Sequence, residues 1–190
     1  MLTKSNILAL CVSTLLLTGC TTTHYISVEP VAEIEVNNLT NDRVIKVSTS
    51  TKLTNSVGSI TTGLNERADI YTTNDVKDSV QQSIVNGLKE MGFTPDQGVL
   101  PAADLKVNIT KMSYQTKVKT LKTIATLDFE LNLVLTAKGQ TYKANYGSQK
   151  VREYGTMPYQ EDIQKNMNEL ASQTVTRLLK DQNVITLLKQ

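Results

Sequence analysis

Leu127, Phe129, Leu131, Leu133 and Leu135 occupy every second position of the chain, with Asp128, Glu130, Asn132 and Thr136 between them and Val134 as the exception. Successive side chains of a strand point to opposite faces, so this stretch predicts a strand with one buried and one wet face. Lys138-Gly139 predicts the turn that follows. A two-residue loop there pairs Leu135 with Tyr142, Leu133 with Ala144 and Leu131 with Tyr146, all on the apolar face, while Asn132 meets Asn145 and Thr136 meets Thr141. A slip by one residue would carry both tyrosines to the polar face. A four-residue loop of the same pairing parity satisfies the pattern as well. Upstream, Leu105, Val107 and Ile109 alternate with Lys106, Asn108 and Thr110, and the strand continues through Met112 and Tyr114 with a change of phase that predicts a bulge. Residues 44–51 are rich in β-branched side chains and 68–72 form a shorter candidate strand. Residues 55–65, with Gly58 and Gly63, read as a loop or irregular hairpin.

Two stretches change period. Val76, Val80, Ile84, Leu88 and Met91 draw one apolar stripe at helical spacing. Thr73 or Asn74 is the expected cap, Asp75 and Asp78 suit the positive end, and Gly92 is the expected left-handed stop. Gly87 costs that helix about 1 kcal/mol relative to Ala and is a position for close packing. A turn follows around residues 95–98. Ile163, Met167, Leu170, Thr174, Val175 and Leu178, with Ala171 beside them, predict a second helix with Pro158 in its first turn. Asp181-Gln182-Asn183 interrupts it, and 185–188 add a final turn. The order predicts an α+β fold, an antiparallel sheet with two amphipathic helices packed on one face, in a single domain over 44–190.

The first twenty residues follow a different logic. Lys4 and the free amine form a positive start, and residues 7–17 are uncharged and mostly apolar. Eleven such residues are too short to span a bilayer, which needs about 20. They have the length of a secretory signal. Leu17-Thr18-Gly19-Cys20 resembles the bacterial lipobox. The resemblance implies cleavage between Gly19 and Cys20, diacylglycerol on the Cys20 thiol and acylation of the new amine. Thr rather than Asp at position 21 implies, by the same resemblance, sorting to the outer membrane. Residues 1–19 are then a signal peptide and 20–43 a lipidated start and tether. Val31, Ile34 and Val36 leave an edge strand open as the alternative, and His24 reads as a stray surface histidine.

The features quoted so far resemble the YajG family of Gram-negative lipoproteins. The resemblance rests on Met91-Gly92-Phe93 at the end of the first helix, the strand from Asp104 to Ile109 and the 127–135 strand with its Thr136-to-Gly139 hairpin. It extends to Lys143–Tyr146 and to the helix from Asp162 to Leu179 with its closing turn. It implies an outer-membrane lipoprotein facing the periplasm and carries over no catalytic residue.

Composition narrows the chemistry. The chain of 190 residues has 20 Lys+Arg against 18 Asp+Glu, a formal charge of +2, which supplies no field to attract nucleic acid. Loss of Lys4 with the signal lowers it to +1. One His and two Cys, one discarded and one lipidated, exclude zinc motifs, thiol nucleophiles and a Ser-His-Asp centre in the domain. The expectation is no cofactor beyond the covalent lipid, and no enzyme. Asp128 and Glu130 share a strand face and are the one carboxylate pair of glycosidase type, with a solvated sheet face as the simpler account. Lys111, Lys117, Lys119 and Lys122 form a basic stretch that could meet lipid headgroups, acidic glycan or a protein, or merely guard a sheet edge. Tyr154 and Tyr159 flank Gly155 and complete the candidate interaction surface. The functional expectation is an envelope protein that binds a protein or peptidoglycan partner from the membrane. The alternative is a small module that holds an amphiphile or peptidoglycan fragment between the sheet and the helices, in a cavity of at least about 300 Å³.

Overall fold

The computed structural model describes residues 22–34, 43–64, 66–95, 101–120 and 122–190. The lipobox and the 95–98 turn beyond Pro95 lie outside them. The spine is a long antiparallel hairpin of β6 (Ala103–Lys119) and β7 (Lys122–Ala137), continued by β8 (Gln140–Tyr154). The β7–β8 register is the one the alternation predicts, with Leu135, Leu133 and Leu131 opposite Tyr142, Ala144 and Tyr146. The two-residue turn is made by Lys138 and Gly139, both with positive φ (46° and 76°), the conformation a tight hairpin needs. The change of phase in β6 is a bulge between Ile109 and Lys111.

The sheet is mixed rather than antiparallel, which corrects the expectation. The free edge of β6 is shared by two strands that run parallel to it. β2 (Val44–Thr51) takes the first half, and β3 (Ser56–Thr61) meets it again at Tyr114 and Gln115, past the bulge. β4 (Arg67–Thr72) pairs antiparallel with β3, and β5 (Thr94–Pro95) lies beside the start of β2. Gly58 makes this junction possible. Its φ is +150°, and a Cβ there would stand 2.0 Å from the Tyr114 carbonyl oxygen.

Among the described residues three helices, not two, lie on the apolar face. α1 (Val76–Glu90) covers β2, and α2 (Gln160–Leu179) covers β7 and β8. The predicted closing turn is a full short helix, α3 (Gln182–Lys189), because Asp181 caps it by accepting from the Asn183 amide at 2.8 Å. Pro158 stands before α2 rather than inside it. Asp75, not Thr73 or Asn74, caps α1, accepting from the amides of Lys77 (2.9 Å) and Asp78 (3.4 Å). Gly92 ends α1 at φ 88° as expected.

The largest correction concerns residues 22–34, expected as tether. Thr22–Ile26 form β1, a parallel partner of β4, and the chain then runs extended in the groove between α1 and α2. Ile26 and Val28 are fully buried, and Ala32 and Ile34 pack on the core. The odd-numbered amides are bonded to one row of α2 side chains. Tyr25 donates to Gln160 (3.0 Å), Ser27 to Gln164 (2.8 Å), Glu29 to Asn168 (2.6 Å), Val31 to Ser172 (2.9 Å) and Glu33 to Thr176 (2.9 Å). Two extended residues advance about 6.6 Å and four helical residues about 6.0 Å, so every second amide meets every fourth side chain. From the other side, Asn74 accepts from the Val28 amide (2.9 Å) and donates to its carbonyl (2.8 Å), as a neighbouring strand would. Gly87 lies where the pieces converge: an added Cβ would be 2.5 Å from Leu179 Cδ1 and 3.3 Å from the Ala32 Cβ.

Asn168 also donates to the Ser27 carbonyl at 3.1 Å, so it and Asn74 together fix residues 27–29. Asn168→Ala and Asn74→Ala are each expected to lower unfolding stability by about 1–2 kcal/mol. The double variant should lose less than the sum, because both asparagines hold the same three residues. Urea titrations check this; additive losses would show that the two asparagines act independently.

Candidate functional site at the end where the chain enters

Strand directions gather most of the candidate residues at one end of the molecule. β1 and β4 start there and β3 and β6 finish there. β7 starts there, β8 finishes there, and α2 begins there. Lys117, Lys119 and Lys122 flank the β6–β7 turn, and Tyr154 and Tyr159 bound the β8–α2 connection. Gly19 and Cys20 lie outside the described residues. Cys20 is nevertheless only two positions before Thr22, and two residues reach at most about 7 Å.

The lysines are not equivalent. Lys117 and Lys119 are exposed and have no ion pair among the described residues, whereas Lys122 contacts Glu153 at 2.9 Å. That hydrogen bond and the charge of Lys122 hold the Glu153 carboxyl below the usual range. Lys119 and Lys122 stand directly opposite in the hairpin, an arrangement that repels. Lys111 does not belong with them. It lies mid-sheet on the wet face, 3.1 Å from Asp128 and 3.7 Å from Glu130.

Asp128 is held from three sides. Besides Lys111, it accepts from Gln149 (2.7 Å) and Ser113 (3.2 Å). Burial pushes its pKa up, but the Gln149 bond and Lys111 outweigh this and keep it below the ordinary aspartate value. Asp128 is thus tied into the ion pair and hydrogen bonds of the sheet face.

Tyr159 is 76% exposed and precedes α2 without capping it through its side chain. Tyr154 is half-buried and packs against the core. Beneath it lies Tyr114, fully buried, whose hydroxyl finds no hydrogen-bond partner among the described residues and whose ionisation is pushed up by burial and then by Tyr154. Tyr142 and Tyr146, expected in the core, place their hydroxyls on Asp181 at 3.0 and 2.6 Å, at the opposite end.

His24 is buried, not a stray surface residue. It pairs with Ile70 in β1–β4, is 8% exposed, and its Nε2 has no partner among the described residues. Burial lowers its pKa, and Glu161 offsets this only in part. Among the described residues no group of His, Cys, Asp or Glu is clustered to hold a metal ion. An open cleft of about 430 Å³ lies where β2 and β3 part on β6, lined by Leu53, Asn55, Asn74, Val76, Ile109 and Met112 among others.

The residues that sequence reasoning missed are Gln160, Gln164, Asn168, Ser172 and Thr176, which turn the presumed tether into part of the domain. Their signal was present. Amide and hydroxyl side chains recur every four positions along α2, and Ile26, Val28, Pro30, Ala32 and Ile34 alternate with Ser27, Glu29 and Glu33.

Residues 30–189, from inside that seam to the end of α3, match the model of a family described as an uncharacterized lipoprotein. The chain belongs to this lipoprotein family. A Xanthomonas campestris protein of the DUF330 family is similar in fold, with 11% identity and a TM-score of 0.56 over 89% of this chain and 96% of that one. A second solved structure, an uncharacterized protein, shows 12% identity and a TM-score of 0.51 over 84% and 97%. No curated protein matches the lipoprotein. Among its described residues, no helix is long and apolar enough to cross a membrane.

The buried His24 gives the lipoprotein an acid-sensitive joint. A folded-state pKa below the unfolded value of 6.5 means that the unfolded chain binds the proton first. The contribution of a neutral His24 is therefore full above pH 6.5 and is lost as the pH falls. Between pH 7.5 and 5, wild-type stability should decline, and His24→Gln should flatten that decline. Chemical denaturation at several pH values measures it; parallel profiles would remove His24 as the cause.

Proposed function

We propose that Cys20 carries the lipid anchor after removal of residues 1–19, and that the protein is held in the outer membrane facing the periplasm. In this reading it works without catalysis or cofactor, binding a protein or peptidoglycan partner of the envelope close to the membrane. One observation carries it: β1 begins at Thr22, so the lipobox cysteine leads almost directly into the folded domain. A lipid at Cys20 would seat the domain on the bilayer rather than on a long leash. Several acyl chains bind firmly where one binds marginally. The wet face of β6, β7 and β8 is uncovered by any helix and offers hydrogen-bonding side chains such as Asn108, Asn132 and Asn145.

The cleft of about 430 Å³ supports a second reading, a module for an amphiphile or a peptidoglycan fragment. Its lining mixes apolar Leu53, Ile109 and Met112 with Asn55 and Asn74, as a ligand with one polar end would need.

Cys20→Ala tests the anchor. The variant should accumulate as a soluble periplasmic form or as unprocessed precursor in the inner membrane, while the wild type sediments with outer membrane on a density gradient. Unchanged outer-membrane fractionation of the variant would contradict the anchor. Photocrosslinking from Asn132 and from Met112 separates the two readings, since a protein or glycan adduct on the sheet face supports the first and a lipid-sized adduct in the cleft the second.

A further inference from the structure

Four observations converge on the end of the molecule where the chain enters. First, Thr22 lies there and Cys20 can be no more than about 7 Å away. Second, large apolar side chains are exposed on separate elements at that end: Leu64, in the β3–β4 connection, is 70% exposed; Val118, at the end of β6, is 41% exposed; and Tyr159, before α2, is 76% exposed. Third, the elements carrying Leu64 and Val118 are neighbours. A Cβ on Gly63 would lie 3.6 Å from Val118 Cγ1 and 3.4 Å from the Thr120 carbonyl, so the two turns abut. Fourth, Lys117 and Lys119 are exposed beside them and make no ion pair among the described residues, and Lys119 is set against Lys122.

Separated apolar tips ringed by lysines suit a surface with an anionic headgroup layer over an apolar layer. A tyrosine sits well at such a boundary because its ring is apolar and its hydroxyl polar. Lysines keep their ammonium groups among headgroup phosphates while their stems lie on apolar surface. Of the acidic groups at this end, Glu153 is paired with Lys122 and Asp69 with Arg67 at 3.7 Å; Glu66 accepts from Thr62 at 2.9 Å and keeps its charge, and Glu161 and Asp162 lie in the first turn of α2.

We infer that this end is a membrane-docking surface, on which Leu64, Val118 and Tyr159 enter the headgroup region of the bilayer and Lys117 and Lys119 pair with anionic lipid. The inference rests on the proposed Cys20 anchor, which supplies the local concentration, and adds a fixed orientation to it. The long axis of β6 and β7 then stands away from the membrane. α3 and the β7–β8 turn point into the periplasm, and the wet sheet face is presented sideways to partners.

The chain contains no Trp, so single tryptophans are clean depth probes. Full-length lipidated protein carrying Leu64→Trp, Val118→Trp or Tyr159→Trp is placed in vesicles of phosphatidylethanolamine and phosphatidylglycerol with brominated acyl chains. Val31→Trp, at a position 70% exposed and beside α2, is the control. Quenching at least about twofold greater at 64, 118 and 159 than at 31 is expected. In phosphatidylcholine vesicles the anchor still holds the protein, but quenching at 118 should fall, and Lys117→Gln with Lys119→Gln should abolish this lipid dependence. Equal, weak quenching at all four positions in protein whose mass shows acylated Cys20 would overturn docking and leave the anchor standing. If the mass shows no acyl chain, the anchor reading fails by itself. Persistent quenching at 64 and 159 would then support docking without it, and absent quenching would overturn both.

Discussion

The amides of residues 25, 27, 29, 31 and 33 are bonded to α2 side chains one helical turn apart, and the two layers of the domain depend on that seam. Without residues 22–34, β4 would be an open edge, and Ile26 and Val28 would leave vacant the groove between α1 and α2. An extended segment there must satisfy its amides, because among the described residues no strand lies beside it past Ile26. α2 does this with side chains instead of backbone. The pitch difference of about 0.6 Å per step accumulates to about 2 Å over the ladder. The acceptors shorten along the helix from Gln160 and Gln164 through Asn168 to Ser172 and Thr176, so reach varies where register drifts.

The same seam explains two residues that otherwise look costly. Gly87 weakens α1 as a helix, yet any side chain there would strike Leu179 and Ala32 and force the groove open. Asn74 stands where a helix cap is expected but leaves that task to Asp75 and bonds both backbone groups of Val28. Local propensity is subordinate at both positions to closing the layer around the N-terminal segment.

The spine was legible in the sequence because its signal is local. Alternation from 127 to 135 and the Lys138-Gly139 turn determine the β7–β8 register without reference to any other part of the chain. The bulge near residue 110 left its mark as a phase change, and both long helices showed their stripes. What stayed illegible was relational. β2 and β3 run parallel to β6, and parallel pairing is set by what the crossover connections allow rather than by the strand's own pattern. Ser56–Thr61, rich in Ser with Gly58, reads as loop or irregular hairpin; it is the first strand of an irregular hairpin with β4, and its own pattern does not show the pairing with β6 or the close approach at Tyr114. The alternation of 26–34 was visible, but Pro30 and the polar start at Thr22 outweigh it unless α2 is already known to offer its row of acceptors. Of the candidate site, the basic and tyrosine residues were found individually. Their gathering at one end, and the separation of Lys111 from the rest, follow only from strand direction.

Building the entering strand into the sheet has a consequence for any load or orientation arriving at Thr22. β1 is parallel to β4 and the following segment is parallel to α2, so a pull along the entering chain is shared among all the bonds of the ladder at once. Bonds sheared together resist more than bonds opened one after another, because each opening must wait for several to fail. The energy of each is only about 1 kcal/mol, but they are arranged in parallel and reinforced by Ile26 and Val28, which would have to leave the core in the same step. A domain tied in this way has few soft coordinates between its entry point and its body. The residues around that entry point therefore keep a nearly constant geometry relative to Thr22, as the docking proposed for Leu64, Val118 and Tyr159 requires of contacts that form no continuous patch.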